Sequence, residues 1–232
     1  MKIISFCLWG SNECYNYMMV ENALVAKEIY PDWIIHLYHN ETCLPKVIDV
    51  LKTFDNVKLI LINQKNNKAS NMLWRFYPAF NCEKEDIVII RDCDSLLNLR
   101  EKSAVEEFIN SDKDFHIMRD NPSHKSLIMG GMWGVKNGLL LPLKEKFDEV
   151  YLQCLKNDKR NLDQKWLSEI VYPYVKNNAI IHASFNRYEE GCLRFKSNKY
   201  RFVGAIEVHA PRTRKLFNEE NKKLYRRPLY SY

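Results

Sequence analysis

Glycine is scarce in this chain: there are seven in 232 residues, and four of them fall at positions 130, 131, 134 and 138. Backbone freedom is therefore concentrated in one short stretch. The seven cysteines are odd in number and form no C-x-x-C pair, which argues against a disulfide framework and reads as reduced, mostly buried thiols. No apolar run approaches the roughly 20 residues of a membrane helix, so no spanning helix is expected. The opening Met1–Phe6 segment soon meets Glu13 and has no small-residue cleavage site, so no signal peptide is expected. These features predict a cytoplasmic location. Internal repeats, low-complexity segments and Gly/Ser linkers are also lacking.

Neither sign of charge dominates the body of the chain. The net charge is +6, but from His209 to Tyr232 seven Lys and Arg stand against only Glu219 and Glu220. A nearly neutral body with a basic tail is not the profile of a duplex-DNA binder, and no specific nucleic acid is expected as a partner. The tail suits an acidic membrane surface, giving peripheral residence at the cytoplasmic face, or a phosphate-rich ligand; it is equally read as a solvated surface segment.

What is present is strand–helix alternation. Lys2–Trp9 reads as a strand and Tyr15–Tyr30 as a helix stopped by Pro31. Trp33–Tyr38, Pro45–Phe54 and Val57–Ile62 read as strand, helix and strand. A helical stretch around Met72–Phe80 leads to Asp86–Arg91, where Ile87-Val88-Ile89-Ile90 is continuous and β-branched, as a parallel strand buried on both faces requires. A helix (Glu101–Asn110), a strand (Phe115–Met118) and a Gly-rich segment follow. Helices near Leu143–Lys156 and Asp163–Val171 come next, then short strands near Ile180–His182 and Arg201–Val203. The pattern predicts a Rossmann-like α/β fold with a mainly parallel sheet, helices on both faces and an irregular C-terminal half. The expected organisation is one domain over 1–205, with a nucleotide-binding half to about 95 and an acceptor and sugar half after it, then a tail over 206–232.

In an open parallel sheet, ligands bind beyond the carboxyl ends of the strands. The richest such end is Arg91-Asp92-Cys93-Asp94-Ser95, where a period of two sets Asp92 and Asp94 on one side of an extended backbone. Two carboxylates there are hard oxygen ligands suited to Mg²⁺ or Mn²⁺, which also grips diphosphates; a turn or helix cap is the competing reading. A second copy, Asp112-Lys113-Asp114, lies between helix and strand and reads as a turn. Gly130, Gly131 and Gly134 would let backbone approach a ligand, and Trp133 offers a ring face for a sugar, or the segment is a turn before a core strand. Asp163-Gln164 opens a helix, as a cap or as a site pair. His182 ends a short apolar strand, as a core residue or a metal ligand.

Together these segments resemble the GT-A-fold, nucleotide-sugar-dependent glycosyltransferases, and look closest to bacterial and viral relatives of the glycogenin-like group. The likeness runs over about residues 2–205. It takes in Ile3-Ile4-Ser5-Phe6-Cys7-Leu8-Trp9-Gly10, Trp74-Arg75-Phe76, Arg91–Ser95, Phe115–Asp120, Gly130–Gly134, Asp163-Gln164 and Phe202-Val203-Gly204. The resemblance implies that Ser5, Phe6 and Gly10 hold the nucleobase and ribose, and that Arg75 approaches the donor phosphates or sugar. It implies that Asp92, Asp94 and His182 hold Mn²⁺ or Mg²⁺. Asp163 would contact the donor sugar near its anomeric carbon with Gln164 beside it, and Asp120 and Trp133 would face sugar or acceptor. Two positions depart from the pattern: Lys165 stands where a third polar or acidic residue is common, and Ala183 where a carboxylate is. The implied reaction moves a hexose from a nucleoside-diphosphate sugar, UDP favoured, to a glycan, lipid-linked or protein acceptor, with retention preferred.

Two other readings compete. A metal-dependent nucleotidyltransferase needs a Gly-rich basic loop after the first strand, whereas Gly10-Ser11-Asn12-Glu13-Cys14 has one glycine and an acid. A non-catalytic nucleic-acid- or membrane-binding protein using the tail would leave the carboxylates and glycines without a role.

Overall fold

The computed structural model describes residues 1–64, 68–81, 83, 85–157, 162–196 and 201–206. Its centre is a seven-stranded sheet: β1 (Lys2–Leu8), β2 (Ile34–His39), β3 (Val57–Leu61), β4 (Ile87–Arg91), β5 (Phe115–Arg119), β6 (Met132–Lys136) and β7 (Ala179–Ala183). The spatial order is β3-β2-β1-β4-β6-β5-β7. β1 pairs in parallel with β2 and β4, β2 with β3, and β5 with β7, while β6 runs antiparallel to both β4 and β5. Six strands thus share one direction, and their carboxyl ends form one rim. The helices are α1 (Glu13–Ile29), α2 (Pro45–Leu51), α3 (Leu99–Asn110), α4 (Lys144–Asn157), α5 (Leu162–Trp166) and α6 (Tyr172–Val175), with a π-helical turn at Leu167–Val171 between the last two. A 3-10 helix spans Ala69–Phe80.

Two cores flank the sheet. One packs α1 and α2 against Ile4, Phe6, Leu8, Ile35, Leu37 and Ile89. The other is aromatic: Phe76, Phe80, Phe147 and Trp166 pack around Trp133, with Phe80 and Phe147 stacked at 4.4 Å. Phe6 and Trp133 are both fully buried, so their rings serve packing and present no face to a ligand.

β6 is the element the sequence pattern concealed, because Gly134 within it and Gly130–Gly131 just before it oppose strand formation. Gly134 faces Ile89 and Gly131 precedes the strand. A Cβ on Gly134 would stand 3.1 Å from both the Val88 carbonyl and Ile89 Cγ2, so glycine is what lets β6 lie so close to β4. Arg201–Val203, expected as a strand, is irregular, and only a single bridge pairs Ile206 with Ser95. The basic tail, from residue 207 on, lies outside the described residues. No helix among the described residues is long and apolar enough to cross a membrane.

Two buried asparagines of α1 hold the rim. Asn16 donates to the Gly10 and Asn12 carbonyls and accepts from the Leu44 N–H. Asn22 donates to the Cys93 and Ser95 carbonyls, at 3.3 and 3.0 Å, and accepts from the Leu97 N–H at 3.0 Å. Both are fully buried, so each saturates main-chain groups that water cannot reach. Asn22→Ala should strand these groups and cost about 1–3 kcal/mol in urea unfolding. Asn22→Asp, which keeps the acceptor, should retain the Leu97 contact but place an unpaired charge in the core and cost at least as much.

Candidate active site

The strand ends surround a cavity of about 1040 Å³. Its walls come from the β1–α1 loop (Cys7–Asn12) with Tyr15, the 3-10 helix (Ala69, Met72, Arg75), the β4 exit (Asp92–Ser95), the approach to β6 (Met129–Met132), and Asp163–Gln164 at the start of α5. Of the residues expected at the site, Gly10, Arg75, Asp92, Asp94, Gly130, Gly131, Asp163 and Gln164 meet here.

Arg75 is the hub. Its side chain is 5% exposed, and its guanidinium pairs with Asp92 at 3.0 Å and Asp163 at 3.4 Å. Its Nε–H donates to the Gly130 carbonyl at 3.3 Å, and Nη1 approaches the Cys7 sulfur at 3.6 Å. One planar cation thus fixes two carboxylates and one carbonyl drawn from three separate segments. The glycines are shaped to this cluster. A Cβ on Gly131 would stand 2.0 Å from Asp92 Oδ2, and one on Gly130 2.8 Å from Arg75 Nη2 and 2.9 Å from Asp163 Oδ2.

The electrostatics are those of negative charge held in partial burial. Burial and the neighbouring Asp92 charge push the Asp94 carboxyl above its ordinary range. Burial pushes the Asp163 carboxyl up as well, only partly offset by Arg75. Burial and the charges of Asp94 and Asp92 raise the Tyr15 phenol beside them. Asp92 remains 41% exposed to the cavity, so oxygens of both Asp92 and Asp94 are open to a hard cation that would relieve their repulsion. Among the described residues no group of three or more His, Cys, Asp or Glu side chains could hold a metal alone. The donor set fits a divalent ion that takes its remaining ligands from water or a bound diphosphate, the ordinary habit of Mg²⁺.

Five expected site residues lie elsewhere. Ser5 and Phe6 precede the end of β1, and the cavity begins only at Cys7. The Ser5 hydroxyl instead donates to the Arg75 carbonyl at 2.7 Å, holding the hub's backbone. Trp133 lies in the aromatic core and donates its indole N–H to the Gly130 carbonyl at 3.2 Å. Asp120 is bound by Arg100 through two contacts of 2.7 Å, by the Ser184 hydroxyl and by the Val203 N–H, and has no face on the cavity. His182 is fully buried on β7, three strand positions from β4 or about 14 Å at ordinary spacing. Its two nitrogens face His116 at 3.0 Å and Glu107 at 3.3 Å, so it does not join the aspartates. The second D-x-D is a turn: Asp114 accepts from the side chains of Asn137 and Asn178. Sequence reasoning missed Trp9, Tyr15, His124, Met132 and Phe202 as lining residues. Trp9 and Tyr15 had a positional signal, flanking Gly10 at the carboxyl end of β1; Met132 opens β6, the strand the pattern concealed, and His124 and Phe202 come from irregular segments without a signal.

The chain matches no protein-family model and no curated protein. It is similar in structure to S. aureus TarS 1–349, at 12% identity and a TM-score of 0.52, over 79% of this chain and 58% of that one. It is also similar to a glycosyltransferase involved in glycosylation of the major capsid of PBCV-1, at 14% identity and a TM-score of 0.46, over 78% of this chain and 81% of that one. A third similar structure is the galactosyltransferase LgtC in complex with donor and acceptor sugar analogs, at 13% identity and a TM-score of 0.47, over 78% and 73%. The fold is Rossmann-like, of the GT-A type.

Gly131→Ala tests the packing of this cluster. The added methyl must displace the Asp92 carboxylate and crowd the Asp92 backbone N, so urea unfolding should show a loss of about 1–3 kcal/mol, and unchanged stability would show that Asp92 is not held as described.

Proposed function

We propose that this protein is a divalent-metal-dependent glycosyltransferase that takes a sugar from a nucleoside-diphosphate sugar, UDP-sugars first among the candidates, and passes it to a hydroxyl of a glycan, lipid or protein acceptor. The observation that carries this reading is the meeting of Asp92, Asp94, Asp163 and Arg75 at the carboxyl rim of a GT-A sheet.

Each residue then has a physical task. Asp92 and Asp94 would hold Mn²⁺ or Mg²⁺, and such an ion, when bound, neutralises charge developing on a departing diphosphate. Arg75 holds Asp92 and Asp163 apart from each other at fixed positions, so neither carboxylate must reorganise during reaction. Asp163 supplies negative charge in a buried setting, where it stabilises a positively charged anomeric centre or accepts the acceptor proton far more effectively than in water. Gln164 lines the cavity beside it, with its amide oxygen bound to the Ser126 hydroxyl. The nucleotidyltransferase alternative is disfavoured by the β1–α1 loop, which has one glycine and no basic residue.

A thermal-shift screen of UDP, GDP and their sugars, with and without Mn²⁺, tests the reading directly. Ligand at 100 times its dissociation constant should stabilise the fold by about 2.7 kcal/mol. Asp94→Asn should remove the Mn²⁺-dependent part of that gain; if the gain persists, the metal assignment is wrong. Acidification should weaken Mn²⁺ binding, since a carboxyl raised by burial and by Asp92 takes up its proton at higher pH than an ordinary aspartate.

Asp163→Asn separates site from scaffold. Because burial raises the carboxyl, the folded state favours its protonated form, and the ionised side chain subtracts stability as pH rises through that range. Replacing it with a neutral amide should therefore leave melting at neutral pH nearly unchanged. Turnover should nonetheless fall at least about a hundredfold, near 2.7 kcal/mol, with donor affinity little altered. Turnover within a few-fold of the parent would remove Asp163 from the chemistry.

A further inference from the structure

We propose that His124 is a donor-sugar contact, a neutral imidazole whose Nε2–H donates a hydrogen bond to a hydroxyl of the sugar being transferred. The inference rests on the glycosyltransferase reading and gives it a specificity-determining residue in the wall of the same cavity.

The tautomer follows from one contact. The backbone N–H of Asp120 donates to His124 Nδ1 at 3.1 Å. A backbone N–H can only donate, so Nδ1 carries its lone pair there and the neutral ring's proton sits on Nε2. The ring is 5% exposed and lines the cavity. Phe202 meets the ring edge to face at 5.7 Å, Gly204 lies alongside, where a Cβ would be 3.5 Å from His124 Cε1, and the Asp120 carboxylate is close enough to act on it through its charge. With one nitrogen taken by the main chain, Nε2 is the polar atom this ring offers to the cavity.

The position favours donor over acceptor. The segment from Phe202 to Ile206 runs from His124 to the β4 exit, where Ile206 bridges Ser95, the residue after Asp94. Met132 and the His124 ring both lie against Gly204, and Met132 directly follows Gly130–Gly131, whose Cβ positions abut Asp92 and Asp163. The imidazole is also pre-positioned, because Asp120 is itself fixed by Arg100 and by the Val203 N–H. That gives the buried Asp120 a role behind the site. Burial pushes the imidazole below its usual range, so at neutral pH it is an uncharged donor. An uncharged N–H framed by Phe202 and Met132 suits a hydroxyl better than a phosphate or a sugar carboxylate.

Two variants test this on the full chain by calorimetry in Mn²⁺, with UDP, GDP, UDP-glucose, UDP-galactose and GDP-mannose as probes. His124→Asn keeps an acceptor for the Asp120 N–H but has nothing at the Nε2 position; His124→Gln restores an amide N–H there. For each nucleotide sugar that the parent binds, His124→Asn should weaken affinity at least about tenfold, leave the matching nucleoside diphosphate within about twofold and keep the melting temperature, while His124→Gln recovers part of the loss. Equal losses for nucleotide sugar and diphosphate, or unchanged affinity for both, would overturn the assignment, as would a drop in melting temperature alone. Failure of the parent to bind any probe would instead overturn the glycosyltransferase reading and this inference with it.

Discussion

Arg75 is the interaction on which the cavity depends. A guanidinium only 5% exposed is tolerable because every direction of its fork is answered: by Asp92, by Asp163, by the Gly130 carbonyl and by the Cys7 sulfur. These partners come from the ends of β1 and β4, the approach to β6 and the start of α5. Removing the shared guanidinium would leave both carboxylates without their cation, and stranding buried charge in this way typically costs about 3–5 kcal/mol. The same arrangement therefore joins the two halves of the fold and sets the spacing of the carboxylates. Asp94 forms no ion pair among the described residues, and burial together with the Asp92 charge raises its carboxyl even though Arg75 acts the other way. Among the described residues the two neighbouring carboxylates share only the Arg75 guanidinium, so their mutual repulsion is not fully relieved.

The scarcity of glycine follows from this design. Most of the chain needs none, and the stretch that passes over the carboxylate cluster needs three within five residues. Gly130 and Gly131 give their Cβ space to Arg75, Asp163 and Asp92, and Gly134 gives its space to β4. The residues that conceal β6 from propensity reasoning are those that let the one reversed strand insert between β4 and β5. Here local preference and global fold conflict, as is expected where a backbone approaches a site closely.

The first half of the fold was legible because its strands are simple. Each of the first four strands is a short apolar run separated by a helical pattern, and a right-handed parallel sheet follows from that alone. The place of Asp92 and Asp94 was legible for the same reason, since a doubly buried strand must end at the ligand rim. Side-chain direction was not legible one strand further on. Phe6 and Trp133 are aromatic residues near the rim, yet each points into a core, and nothing in composition separates a packing ring from a binding one. His182 is on a genuine strand end, but of β7; only the order β4-β6-β5-β7 reveals that it lies three positions from the aspartates. Strand order is a long-range property, and residue types within β7 do not encode it.

The polar groups behind the rim show how such a site is kept rigid. Arg91 and Asp92 are adjacent, and the period of two sends them to opposite sides of the backbone. Asp92 goes to the cavity, while Arg91 goes inward to Glu101 at 2.6 Å and to the Trp133 carbonyl at 3.1 Å. Asn22 fixes the next turn of chain from below, and the Arg100–Asp120 pair fixes the strip that carries His124 and Val203. Each is a buried polar group bonded to main chain or to an opposite charge, so each fixes geometry more than it adds net stability. The resemblance to GT-A enzymes implies that Asp120 faces the sugar or acceptor. Its burial against Arg100 and Ser184 assigns it instead to this supporting layer, while Asp163, equally buried, keeps one side on the cavity. What separates the two is not burial but partner: Asp120 has spent both oxygens on the fold, and Asp163 shares a single arginine with Asp92.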